Sequence, residues 1–187
     1  MFDSLISKDI ELLIFLNNLG TVQWDGFWLF ITNKFSAIPL YFFLLYLTYK
    51  KYGIKKTLIS VLFVAIFITI SDQTSNLFKY GFKRLRPCHD EHISHLIRLV
   101  GNRCGGLYSY FSAHAANAMA IAIFFGLLLK PYSKYVLPIV VLWALLVAYS
   151  RVYIGVHFPL DVISGMLFGL IYGTLFYKLC IIFLKKS

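Results

Sequence analysis

The stretch 150-SRVYIGVHFPLD-161 decides the fold. One apolar run, about residues 135–153, ends on Ser150 and Arg151. Another, about 159–184, opens directly after His157, with Pro159 suited to a first helical turn. A helix crosses the bilayer core in about 20 apolar residues, so both runs read as spans joined by a polar turn at the membrane surface. That turn gathers Arg151, His157 and Asp161 at one end of a helical hairpin. His157 and Asp161 stand at i and i+4 and share a helical face. The carboxylate can then accept from Nδ1–H and leave Nε2 as a lone-pair nucleophile. The same residues also suit a plain polar turn, with Arg151 snorkelling and His157 capping.

Outward from that hairpin, residues 57–78 and 111–130 are also long enough to span. A shorter run, about 35–50, has a start blurred by Asn33 and Lys34, since a Lys deep in lipid is costly. Residues 4–32 are patchily apolar and carry Asp9, Glu11, Asp25, Trp24 and Trp28. They read as amphipathic helix in the interface, with the Trp pair at headgroup level; a sixth span is the alternative. The expected fold is all-α: an integral membrane helical bundle of five transmembrane helices plus an N-terminal interfacial helix. Residues 1–187 form one domain, with 1–34 the interfacial segment and 79–110 an extracytoplasmic loop carrying part of the site.

Composition agrees. The 187 residues are 59% hydrophobic and only 14% charged, where a soluble domain carries about 25%. The net charge of +10 does not mark a nucleic-acid binder, because the bases flank spans or sit in polar clusters and form no basic helix or tail. Met1–Gly20 has no basic start and is interrupted by acids, so it does not read as a cleaved secretory leader. Lys50, Lys51, Lys55 and Lys56 flank one loop, Lys130 and Lys134 another, and Lys178, Lys185 and Lys186 end the chain. With five spans these fall on one face, which the positive-inside rule makes cytoplasmic. Every Arg then lies at the outer side, where Arg84 and Arg86 make sense if an anion is held there.

Two further clusters lie at the same ends of their spans. Lys79-x6-Arg86-Pro87 offers a point charge and a planar fork for phosphate oxygens. Ser112-Ala113-His114 opens a helix, whose first amides and dipole favour an anion, and His114 can protonate a leaving oxygen. Singly, each cluster also fits headgroup contact or helix capping. Jointly, their order and spacing resemble the type-2 phosphatidic acid phosphatase superfamily, which includes soluble acid phosphatases and vanadium haloperoxidases. Its pattern is Lys-x6-Arg-Pro, Pro-Ser-Gly-His, and Ser-Arg-x5-His-x3-Asp. The first and third match fully; in the middle one Phe111 replaces Pro and Ala113 replaces Gly.

The resemblance implies that His157 attacks phosphorus to form a phosphohistidine, Asp161 orients it, and His114 protonates the leaving group. It implies that Lys79, Arg86, Ser112, the Ala113 N–H and Arg151 hold the phosphate, with no metal or other cofactor. The expected activity is hydrolysis of a membrane lipid phosphate or diphosphate at the outer face of the bacterial inner membrane. The active site would face the periplasm or cell exterior, and no obligate protein partner is called for. Undecaprenyl diphosphate is the lead substrate; lipid A 1-phosphatase and phosphatidylglycerophosphate phosphatase activities are the alternatives. A lipid transporter or a non-catalytic lipid-binding protein is the different-class alternative, but no inverted repeat is visible. Asp72, inside a span seven residues before Lys79, either supports Lys79 or pairs with neighbouring Ser, Thr or Asn. His89, His92 and His95 read as a solvated loop in preference to a metal site. Cys88 and Cys104 share a loop placed outside, where a disulfide can form; two free thiols are the alternative.

Overall fold

The computed structural model describes residues 2–186. Six helices follow in chain order: α1 (Phe2–Asn18), α2 (Val22–Thr32), α3 (Ile38–Phe82), α4 (Ala113–Leu129), α5 (Val136–Tyr153) and α6 (Pro159–Lys186). Among the described residues there is no strand, only an isolated bridge between Leu85 and Tyr108.

α3 is two arms. Gly53 interrupts it at φ +77° and ψ 174°, a conformation open to a residue without Cβ. The arms 38–52 and 54–82 fold back on each other: Leu45 of the first and Val61 and Val64 of the second line one small cavity. The break falls in the Lys-rich segment 50–56, where water can satisfy the freed backbone groups. The longer arm carries on through Lys79 to Phe82, so the non-helical segment begins at Lys83, not at residue 79 as the sequence suggests.

α4 is the hub. Its sequence is apolar all round, which suits a helix buried on every side. Ala115, Ala116, Ala118, Ala120 and Ala122 are all buried. Opposite them α6 presents Gly165, Gly169 and Gly173, one per turn. A Cβ at these positions would run into the carbonyls of Ser112, Ala116 and Ala120. Small residues on both helices let the backbones approach closely, and in lipid such packing drives helix association. The outward faces of α3, α5 and α6 expose Leu58, Leu62, Ile139, Leu142, Leu167 and Ile171, as a lipid-facing belt requires.

By length and hydropathy α3, α5 and α6 qualify as spans, and α4 is a shorter apolar helix. Tyr52 donates to Leu128 O at 2.9 Å, and Phe63 packs on Phe183. Thus the bend of α3, the end of α4 and the end of α6 meet at one end of the bundle, the Lys-rich end.

α1 is not merely interfacial. Asp9, Leu13 and Asn17 are buried against the opposite end of the bundle. The Asn17 amide donates to Tyr153 O at 2.7 Å, and its carbonyl accepts from Arg98 N–H at 2.7 Å. α2 is held by an Arg98–Asp25 ion pair at 2.9 Å and by Trp28 stacked on Tyr153.

Candidate active site

The site forms where α3, α4, α5 and α6 end together, away from the Lys-rich loops. α5 delivers Arg151 in its last turn. The chain then turns at Gly155, φ +77°, where a Cβ would meet Arg98 O at 2.6 Å. His157 follows, and Asp161 lies in the first turn of α6. Ser112 caps α4, its hydroxyl oxygen accepting from Ala115 N–H. Ser112 N–H in turn donates to Asp161 O at 3.0 Å, tying the start of α4 to that of α6. By helix geometry the first amides of α4 lack intrahelical acceptors, and Ala113 and His114 belong to this turn.

His157 is 2% exposed and Asp161 0%. Nδ1 of His157 lies 3.3 Å from Asp161 Oδ2, which also accepts from Phe158 N–H at 3.0 Å. On the other side of the ring, Arg86 Nη1 lies 3.3 Å from Nε2. A guanidinium only donates, so Nε2 must carry the lone pair and Nδ1 the proton. The geometry thus fixes the tautomer a nucleophilic Nε2 requires. Burial, then the charges of Arg86, Arg151 and Lys79, hold the His157 pKa well below 6.5, so the imidazole is neutral at neutral pH.

Lys79, Arg86, Ala113 and His114 line one cavity at this end of the bundle. Arg86 also donates to Val156 O at 3.2 Å, and Arg151 donates to the Thr32 hydroxyl of α2. The Nε–H groups of Arg86 and Arg151 are buried with no partner among the described residues. Two orphaned cationic donors beside a lone-pair imidazole suit an anion with several acceptor oxygens.

Arg84 has a larger part than the headgroup contact its sequence position suggests. Nη1 meets Asp161 Oδ1 at 3.0 Å, and Nη2 meets Asp9 Oδ2 at 2.6 Å. The guanidinium also stacks 3.7 Å over the Phe158 ring. Asp9 Oδ1 accepts from Leu160 N–H at 2.9 Å. Burial raises the Asp9 pKa and its bond to Arg84 pulls it back. The signal was present in the sequence: Pro87 pushes Arg86 into extended backbone, and residues i and i+2 of an extended run share a face. Arg84 and Arg86 therefore both point at the start of α6. Asp9, Thr32 and Asn117 had no such local signal.

Asp72 neither pairs within its own helix nor bonds Lys79; its Oδ1 accepts from Asn117 Nδ2 at 2.9 Å. Phe111, at the position of the missing Pro, is fully buried and stacks on Phe168 at 4.5 Å. His89 contacts Gly105 O at 3.3 Å. Among the described residues no three His, Cys, Asp or Glu side chains come together as a metal site. Cys88 and Cys104 are bridged, with Cα atoms 6.0 Å apart, and the adjacent Gly105 lies against the Arg86 guanidinium.

Comparison with known proteins agrees with this geometry. Residues 54–181 match the family model described as PAP2 superfamily. A protein of Bacteroides thetaiotaomicron named lipid A 4'-phosphatase is 36% identical over 95% of this chain and 79% of its own length. A Sulfolobus acidocaldarius protein named undecaprenyl-diphosphatase is 32% identical over 88% of this chain and 74% of its own. A crystal structure of a transmembrane PAP2-type phosphatidylglycerolphosphate phosphatase from Bacillus subtilis superposes with TM-score 0.74, covering 94% of this chain and 86% of that one. At 22% identity it bears on the fold alone. With its membrane helices and a family match over most of its length, the chain belongs to the PAP2 superfamily and is a membrane-embedded phosphatase of that family.

Proposed function

We propose that the protein removes phosphate from a membrane lipid through a phosphohistidine on His157. The observation that carries this is the fixed tautomer of His157, held between Asp161 and Arg86 with its Nε2 lone pair turned toward the cationic cluster. Nε2 attacks phosphorus, the N–P bond forms, and the P–O bond to the lipid breaks. His114 gives its proton to the departing oxygen. It then takes a proton from water, which attacks phosphorus, breaks the N–P bond and releases phosphate. Lys79, Arg86, Arg151, the Ser112 hydroxyl and the Ala113 N–H hold the equatorial oxygens, whose charge grows in the transition state. Asp161 keeps the proton on Nδ1 throughout.

The site end of the bundle faces away from the cytoplasm, because the opposite end carries Lys50, Lys51, Lys55, Lys56, Lys130 and Lys134. With α3 counted as two arms the chain crosses a bacterial inner membrane five times. For the substrate, we favour a phosphorylated saccharide lipid of the lipid A kind; the Bacteroides relative, aligned over nearly the whole chain, supports it. Undecaprenyl diphosphate, the lead from sequence, stands as the second reading on the strength of the Sulfolobus relative. Phosphate release by purified protein from lipid A, undecaprenyl diphosphate, phosphatidylglycerophosphate and phosphatidate tests both. Lipid A is expected to be the best substrate, with vanadate inhibiting. Turnover of none of the four would refute the lipid phosphatase reading.

A further inference from the structure

Arg151 has one anchor. Among the described residues its guanidinium makes a single hydrogen bond to the protein, from Nη1 to the Thr32 hydroxyl oxygen. Arg84 and Arg86 are held at two points each. Arg84 bridges Asp9 and Asp161, and Arg86 donates to Val156 O and faces His157 Nε2. An Arg side chain has many rotamers, so a guanidinium held at one point depends on that point for its aim.

Thr32 differs from the threonines of α3. The hydroxyls of Thr48, Thr57, Thr69 and Thr74 each donate to the carbonyl four residues back in their own helix. The Thr32 hydroxyl instead meets another helix and offers a lone pair to Arg151. α2 is built to hold it there. Asp25, Trp28 and Thr32 stand at i, i+3 and i+7, on one face of the helix. Asp25 pairs with Arg98 at 2.9 Å and accepts from the Tyr153 hydroxyl at 2.9 Å. Trp28 packs on Tyr149 and Tyr153 of α5, with ring centroids 4.9 and 5.2 Å away. Beyond Thr32 the chain is pinned in a turn: Asn33 Oδ1 accepts from Phe35 N–H at 2.9 Å, and the Ser36 hydroxyl donates to Asn33 O at 2.7 Å. α2 lies outside residues 54–181, which match the family model.

We propose that α2 is a strap across the end of α5, and that Thr32 is a positioning residue which aims the Arg151 guanidinium at the phosphoryl group. This rests on the phosphatase reading and deepens it. Thr32 acts through Arg151 on the phosphate that every candidate substrate shares, so its effect falls on the transfer step whichever lipid carries that phosphate.

The test uses whichever of lipid A, undecaprenyl diphosphate and phosphatidate wild-type protein turns over fastest, with labelled phosphate. Thr32→Val keeps the side-chain shape and removes the acceptor. It is expected to lower kcat about tenfold, the weight of one good hydrogen bond, with KM within about threefold. Vanadate inhibition should weaken by about the same factor as kcat. Thr32→Ser should stay within about threefold of wild type on both measures. In an Arg151→Ala background, Thr32→Val should cost less than about twofold more. Equal loss in both backgrounds would overturn the positioning role and put Thr32 on the substrate itself. Unchanged kcat and vanadate inhibition in Thr32→Val, or equal losses in Thr32→Val and Thr32→Ser, would also overturn it. Thr32→Ala carries the same expectations if Thr32→Val does not fold. Wild-type protein that turns over none of the three lipids would refute the lipid phosphatase reading. The strap is then read from the rise in melting temperature that vanadate causes, expected to be smaller in Thr32→Val than in wild type; an equal rise would overturn it.

Discussion

Removing Arg84 should damage catalysis without touching the phosphate. Its guanidinium spans Asp9 and Asp161, which are 4% and 0% exposed, and is itself 22% exposed on its side chain. Arg84→Ala leaves two buried carboxylates facing a hole. Breaking a buried ion pair costs about 3–5 kcal/mol. Partial exposure of Arg84 and water entering the hole bring the expected loss to about 2–3 kcal/mol. The kinetic effect is separate. Asp161 would lose the partner of Oδ1, and with it the constraint that aims Oδ2 at His157. A displacement near 1 Å at the reacting group costs about 100-fold in rate. The expected result is a kcat lower by about 10- to 100-fold, with KM little changed because Arg84 does not line the cavity beside Lys79 and His114. Arg84→Lys should recover part of the stability but little of kcat, since one ammonium cannot bridge both carboxylates in a fixed fork. Thermal unfolding in detergent and steady-state phosphate release measure the two effects. Wild-type kcat in Arg84→Ala, in protein that unfolds at a lower temperature, would show that the Asp9–Arg84–Asp161 chain is structural only and would refute the reasoning.

Three other outcomes are expected. His157→Ala should abolish labelling of the protein by a radiolabelled phosphate ester in rapid quench, whereas His114→Ala should slow the first step and still allow label to attach; label on protein lacking His157 would remove it as nucleophile. Because His157 is neutral in the fold well below pH 6.5, the unfolded chain binds more protons just under that pH, and stability should fall as pH drops below about 6.5. A plot of melting temperature between pH 7 and 5 should therefore be flatter for His157→Gln than for wild type, and parallel curves would contradict the depressed pKa. Reducing the Cys88–Cys104 bridge, or Cys88→Ser, should cost about 3 kcal/mol for a loop of 16 residues and lower activity through Arg86, read as melting temperature and kcat with and without reductant.

What the sequence made legible follows the range of each interaction. His157 and Asp161 are four residues apart on one turn, so their pairing is a property of local geometry and could be read directly. Lys79, Arg86, His114 and Arg151 lie at the ends of apolar runs, and span length alone predicts that such ends meet. Asp9 was read only as a charge interrupting an interfacial helix, since nothing within ten residues of it signals Arg84 or Leu160. The Gly165, Gly169 and Gly173 spacing carried a packing signal, but its meaning needed the alanines of α4 opposite.

Asp72 shows where the two kinds of information divide. Its position in a span marked it as a functional candidate, and proximity along the helix offered either Lys79 or a neighbouring Ser, Thr or Asn as its partner. The structure bonds it to Asn117, from a helix forty-five residues on, while its charge still acts on Lys79. Beside Lys79 a carboxylate would tune the binding of any phosphate and favour no lipid over another. Bonded to Asn117, it also ties the longer arm of α3 to α4 one to two turns below the phosphate cluster. The motif residues, from Lys79 to Asp161, gather at one end of the bundle. Deeper in the cavity, helix pairing and not motif spacing decides which side chains meet.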